Sequence, residues 1–162
     1  MLCGLAASVA NSGDSERALE LLDETERARE GAGPDEVPGL FTFTPAKQIY
    51  DRGFSLMWAE DKKTLRRLAR ASEDAIAAWQ VQRSPGDEML SQIYLATASA
   101  RLGDLDSRIA AVSPVLDNPI SARFSWVRKR LNQLNGLLSK HFPDSVVANE
   151  MRNTLNAYTH AA

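Results

Sequence analysis

Cysteine is almost absent from this chain: Cys3 is the only one in 162 residues. A lone cysteine cannot close a disulfide within the chain, so the fold must rest on its apolar core. Histidine is nearly as scarce, with only His141 and His160. Neither a Cys pair nor a His-x-x-x-His spacing occurs, which leaves no metal motif. There is no Gly-rich phosphate loop, and Cys3 has no histidine nearby for nucleophilic work. No run approaches the roughly 20 apolar residues of a membrane-spanning helix. An excess of one charge is lacking too, with a formal net charge of −2. Overall charge therefore gives no support for nucleic-acid or membrane binding. What remains is ordinary: 44% hydrophobic and 25% charged residues, enough for one domain with a real core. No cofactor is expected, and an enzyme has nothing to stand on.

The charge is unevenly spread. Residues 1–40 hold 9 acidic and 3 basic side chains, and residues 41–162 hold 12 and 16. This fits one acidic helix followed by mixed solvated faces, or a basic face with a purpose. The start, Met1 to Asn11, is short and apolar like a signal peptide. No basic segment precedes it, and the run of about nine residues is near the lower limit. Leu2, Leu5, Ala6 and Val9 instead share one helical face. The expectation is a cytoplasmic protein that begins inside an element, with its N-terminal part missing.

Helical periodicity then recurs between turn signals. Ala18, Leu21, Leu22, Thr25 and Ala28 mark a second helix that stops at Gly31-Ala-Gly-Pro34. Residues 31–44 form the long connection, ending in Phe41-Thr-Phe43, a short run compatible with extended chain. Thr44-Pro45 and Ser84-Pro85 are helix starts, with a hydroxyl to cap and a proline at the first position. A long helix after Glu60-Asp61 carries Leu65, Leu68, Ala69, Ser72, Ile76 and Trp79. Another helix carries Leu105, Ile109, Val112 and Leu116, and Pro114 should kink it or end its regular hydrogen bonding. Val127, Leu131, Leu134 and Leu138 form the cleanest stripe, and Pro143-Asp144 opens the last helix. The fold class is all-α: about eight helices in four antiparallel pairs.

A worn repeat runs through these pairs. Gly13-Asp14, Glu60-Asp61 and Gly103-Asp104 each sit at the turn inside a pair, at spacings of 47 and 43 residues. Ala6, Gly53 and Ala96 each stand seven residues before that turn, where the partner helix needs a small side chain. Ala18 fits the small position of the second helix, whereas Leu65 and Arg108 depart from it. A tetratricopeptide repeat has about 34 residues, so these spacings are long. The pattern is that of a tetratricopeptide-like helix-pair solenoid forming a single domain. Residues 1–30 are a partial first repeat, 31–44 a linker and 45–162 the remaining pairs.

Five short segments in order carry a family resemblance over residues 37–160. They are Phe41-Thr-Phe43-Thr-Pro-Ala46-Lys47-Gln-Ile-Tyr50, Arg83-Ser84-Pro85-Gly86-Asp87-Glu88, Leu102 to Asp106, Pro114-Val115-Leu116 and Val127-Arg-Lys-Arg-Leu131. The region resembles the C-terminal part of actinobacterial Cro/repressor-type (XRE) helix-turn-helix regulators. The family's helix-turn-helix is not in this sequence. The resemblance thus implies an effector-sensing or protein-interaction domain of a transcriptional regulator. DNA would be reached only through the absent domain. The partner would be a peptide, a small-molecule effector or a protein; a free-standing adaptor with no regulatory output is the alternative. A missing solenoid cap exposes apolar surface at the first pair, so a homodimer or bound partner is expected there.

In such repeats the first helix of each pair lines a concave groove. Counting from Gly53 and Ala96 places Lys47, Tyr50, Phe54, Met57 and Trp58 on it from one pair, and Leu90, Ile93, Thr97 and Arg101 from the next. Lys47 and Arg101 are candidates to clamp a carboxylate, beside a rigid aromatic surface. The competing assignment puts the aromatics in the core between pairs. Lys63, Arg66, Arg67 and Arg70 share a helix face near an N-terminus, where positive charge opposes the dipole. They are either solvated or contact a phosphate or an acidic partner, and Arg128-Lys129-Arg130 reads the same way. His141 and His160 lie near helix ends, as bland surface groups or dipole partners.

Overall fold

Proline, glycine and aspartate set the helix ends of this chain. The computed structural model describes residues 2–32, 44–105, 109–118 and 124–160. Among them are eight α-helices and no strand: α1 (Leu2–Asn11), α2 (Ser15–Ala32), α3 (Pro45–Leu56), α4 (Lys62–Gln82), α5 (Pro85–Leu102), α6 (Ser113–Leu116), α7 (Ser125–His141) and α8 (Val146–His160). A single 3-10 turn, Ile109–Val112, runs into α6. Phe41, Phe43, Asp106, Arg108 and Pro119 lie outside the described residues.

Most of the start and stop signals act as read. Thr44 is extended, and its hydroxyl accepts from the Lys47 N–H at 3.2 Å, with Pro45 opening α3. Asp61 caps α4 by accepting from the Thr64 N–H at 2.8 Å. Gly13 and Gly103 end α1 and α5 with φ of 95° and 83°. Only glycine takes that left-handed backbone without strain. Three expectations fail locally. Ser84 makes no cap because its hydroxyl donates to Asp87 Oδ2 at 2.7 Å. The last helix starts at Val146, not at Pro143, because Ser145 takes the cap and accepts from the Ala148 N–H at 3.3 Å. Pro114 opens α6 in its first turn, so the helix expected across it is broken there.

Helices adjacent in sequence pack as neighbours: α1 on α2, α3 on α4, α7 on α8, and α5 on the 3-10 turn and α6. A second set of contacts joins first helices to one another, α1 to α3, α3 to α5 and α5 to α7. The row puts α5 in the middle, where α4 also packs on it. From Ile93 to Ala100 every residue of α5 is buried. The stripe of α7 is equally closed, with Val127, Leu131, Leu134 and Leu138 at most 1% exposed. The far end is tied back by Tyr158 in α8, whose hydroxyl reaches the Val115 and Asn118 carbonyls.

The face of α1 differs from the expected one. Ala6, Ala7 and Ala10 are buried, while Leu5 is 50% exposed. Alanines let α1 lie close to α2 and α3, and the Ser55 hydroxyl reaches the Cys3 carbonyl at 3.1 Å. Part of the charge asymmetry is met within the chain. Asp23 of acidic α2 pairs with Arg52 of α3 at 3.4 Å and Arg67 of α4 at 2.9 Å, and Glu26 pairs with Arg52 at 2.7 Å. Such half-exposed pairs contribute at most about 1 kcal/mol each, so they orient α2 more than they hold it.

Gly53 stands inside α3, facing α4 and α5. A Cβ added there would lie 3.6 Å from Ser72 Oγ, 3.7 Å from the Tyr94 ring and 4.0 Å from Leu68. Those are ordinary contacts, so alanine fits, and it loses less backbone entropy on folding. Gly53→Ala is expected to raise the unfolding free energy by about 0.5–1 kcal/mol in a denaturant titration. A loss of stability would show that α3 and α4 lie closer than described.

Candidate functional site

A cleft opens where α3, α5 and α7 meet. The end of α3 and the turn after it contribute Met57 and Trp58, and α5 contributes Ile93, Tyr94, Thr97 and Arg101. The opposite wall is α7, through Arg130, Gln133, Leu134 and Leu137. The space is about 200 Å³. Five of the nine groove candidates therefore line one cavity: Met57, Trp58, Ile93, Thr97 and Arg101. Met57, Ile93 and Thr97 are buried, and Trp58 is half-buried. Thr97 spends its hydroxyl on the Ile93 carbonyl at 2.8 Å, so it presents mainly its methyl group.

The remaining candidates split by depth. Tyr50 is 8% exposed and belongs to an aromatic cluster, 6.4 Å from the Trp79 ring and 6.0 Å from the Tyr94 ring. It is a core residue rather than a groove residue. Leu90, also expected on the groove, is buried in the core as well. Phe54 is half-buried against Tyr94, with ring centroids 6.4 Å apart. Arg130 stands over Phe54 and Trp58, its guanidinium carbon 5.6 Å from each ring centroid. At that range the cation is attracted by the ring faces.

The expected carboxylate clamp does not form. Lys47 sits in the first turn of α3, 4.2 Å above the Tyr50 ring, and pairs with Asp51 at 3.5 Å and Asp87 at 3.9 Å. Arg101 is at the other end of that helix. Its Nη1 donates to the Met57 carbonyl at 3.0 Å and the Ala59 carbonyl at 2.6 Å. Residues 47 and 57 are about 15 Å apart along a helix axis, beyond the reach of one carboxylate. Arg101 thus satisfies carbonyls left open past the end of α3. Burial pulls its guanidinium below the usual pKa, which Glu60 partly offsets.

Arg130, Tyr94, Gln133 and Leu137 were missed in the sequence as site residues. Arg130 was read only as part of a basic triplet. Its spacing held the signal: Arg130, Gln133, Leu134 and Leu137 recur at three and four, on one helix face. Arg130 has one hydrogen bond among the described residues, Nη1 to Gln133 Oε1 at 2.8 Å. No described carboxylate is within ion-pair distance of it. The Tyr94 hydroxyl is buried and makes no hydrogen bond of full geometry, although the Tyr50 hydroxyl and Arg130 stand beside it. Burial pushes the Tyr94 pKa up, and Tyr50 and Arg130 oppose that shift. The phenol therefore stays neutral and keeps its proton to donate.

Other candidates have local explanations. Arg67 meets its acidic partner inside the chain, at Asp23. Arg66 and Arg70 border a shallow hollow together with Glu73 and Asp74. His141 and His160 fall in the last turns of α7 and α8. The Cys3 thiol is half-buried, and burial raises its pKa, so it is poorly suited to nucleophilic work. Among the described residues no three His, Cys, Asp or Glu side chains converge as a metal site, and no helix is long and apolar enough to cross a membrane. No family model, curated protein or solved structure matches the chain.

Arg101→Ala is expected to cost about 1.5–3 kcal/mol of stability, the range for hydrogen bonds from a charged donor. The measurement is a thermal or urea melt of the variant beside the parent chain. An unchanged melt would return Arg101 to a binding role.

Proposed function

We propose that the chain is an effector-sensing or interaction domain of a transcriptional regulator, built as a tetratricopeptide-like solenoid. The carrying observation is the cleft at the α3, α5 and α7 junction, with Trp58 on one wall and, on the other, an arginine that no described carboxylate pairs with. The row of first helices, α1 to α3 to α5 to α7, supports the solenoid part of this reading. The regulatory part draws on the resemblance to repressor-type regulators over residues 37–160. DNA contact would then belong to a helix-turn-helix that is not among these residues, and a cytoplasmic location follows from the role.

A sensing domain needs a ligand whose binding favours one arrangement of its helices. The cleft is suited to that, because its walls come from three different helices. A ligand seated there would draw α7 toward α3 through Trp58 and Arg130. The C-terminal pair, α7 and α8, is then the part that moves with occupancy.

The test is native mass spectrometry of the chain purified from its own host cells. The expected result is a bound small molecule or peptide that is lost in Trp58→Ala, with the helical melt of the variant nearly unchanged. A chain that carries nothing, in parent and variant alike, would contradict the sensing role. A variant that no longer folds would make Trp58 a core residue instead.

A further inference from the structure

We propose that the cleft binds a small carboxylate with an apolar body about the size of a benzene ring, its carboxylate on Arg130 and its body against Trp58, Met57 and Ile93. This deepens the effector-binding reading and rests on it.

Size comes first. A cavity of about 150 Å³ lined by apolar side chains is enough to hold benzene. The cleft here is about 200 Å³, which leaves room for a ring or a branched chain plus one polar group. A folded peptide segment or a nucleotide is too large. Charge comes second. Arg130 has five N–H donors in a planar fork, and the described residues take up only one of them, through Gln133. Gln133 and the two ring faces below hold the guanidinium in place, so little side-chain entropy is lost when an anion docks. The other cation in the cleft, Arg101, is committed to two backbone carbonyls. One available fork matches the two oxygens of a carboxylate.

A third observation concerns Tyr94. Its side chain lines the same cavity, while its hydroxyl is buried beside the Tyr50 hydroxyl and Arg130 without a hydrogen bond of full geometry. Tyr94 therefore takes up no donor of Arg130. Met57, Ile93, Leu134 and Leu137 supply apolar wall for the body of the ligand. A neutral apolar ligand would leave Arg130 unused.

The experiment titrates the full ¹⁵N-labelled chain with sodium benzoate and, separately, with benzyl alcohol, which has the same ring and no charge. The expected result is saturable movement of the Trp58 indole N–H and the Leu134 amide. The Trp126 indole, packed on Gly86 elsewhere, should stay still. Benzoate should bind at least about tenfold more tightly than the alcohol. Arg130→Gln should abolish that preference while keeping weak binding of the alcohol, and Arg130→Lys should retain part of it. Equal affinity for the two ligands, or a preference unchanged in Arg130→Gln, would overturn the carboxylate assignment and leave the sensing role standing. Absence of saturation with either ligand would overturn the proposal outright. Failure of the sensing role itself is read independently, from the native mass spectrum of the host-purified chain.

Discussion

A helix with no exposed face dictates much of this structure. Between Ile93 and Ala100 of α5 every residue is at most 8% exposed. An isolated helix of that kind is insoluble, so it must be covered on every side. The chain supplies α3 and α4 on one flank and the 3-10 turn, α6 and α7 on the other. Small side chains make this possible. Ala96, Ala98 and Ala100 are 0% exposed and let the neighbours approach closely. The polar members stay satisfied within the helix: Ser91 donates to the Asp87 carbonyl, Thr97 to Ile93 and Ser99 to Leu95. No hydroxyl of these three has to be desolvated without a partner.

The cleft follows from the same constraint. Ile93, Tyr94, Thr97 and Arg101 of α5 line it between α3 and α7. Tyr94 joins Tyr50 and Phe54 in the aromatic cluster under α3. Arg101 then ties the end of α3 to α5 through two carbonyls. Beyond these two anchors, α7 lies across the opening with its leucines inward and Arg130 at the rim. Core packing and site geometry thus share residues, so the depth of the cleft is set by side chains that also stabilise the fold.

Much of this was legible from periodicity and turn chemistry. Thr44-Pro45, Asp61 and Gly103 mark their helix ends because each acts on its own backbone within one turn. The α7 stripe is legible because a helix with one buried face repeats at three and four. The errors have the opposite character. Leu5 was placed inside, yet α1 turns its alanines inward because its neighbours approach too closely for leucine. The Lys47 and Arg101 clamp failed because spacing within each helix says nothing about where along a neighbour that helix lies. Ser84 lost its cap to a side chain three residues away, and Ser145 took the cap assigned near Pro143. Arg130 went unnoticed because a basic triplet on a polar surface looks the same whether or not an aromatic pair faces it.

Native-state hydrogen exchange tests the central claim, that α5 is the covered hub on which the other helices depend. The account predicts that the amides of Ile93–Ala100 open only with global unfolding and exchange more slowly than those of α1 and α8. Exchange of the α5 amides at the rate of α8, under conditions where the chain is fully folded, would contradict it.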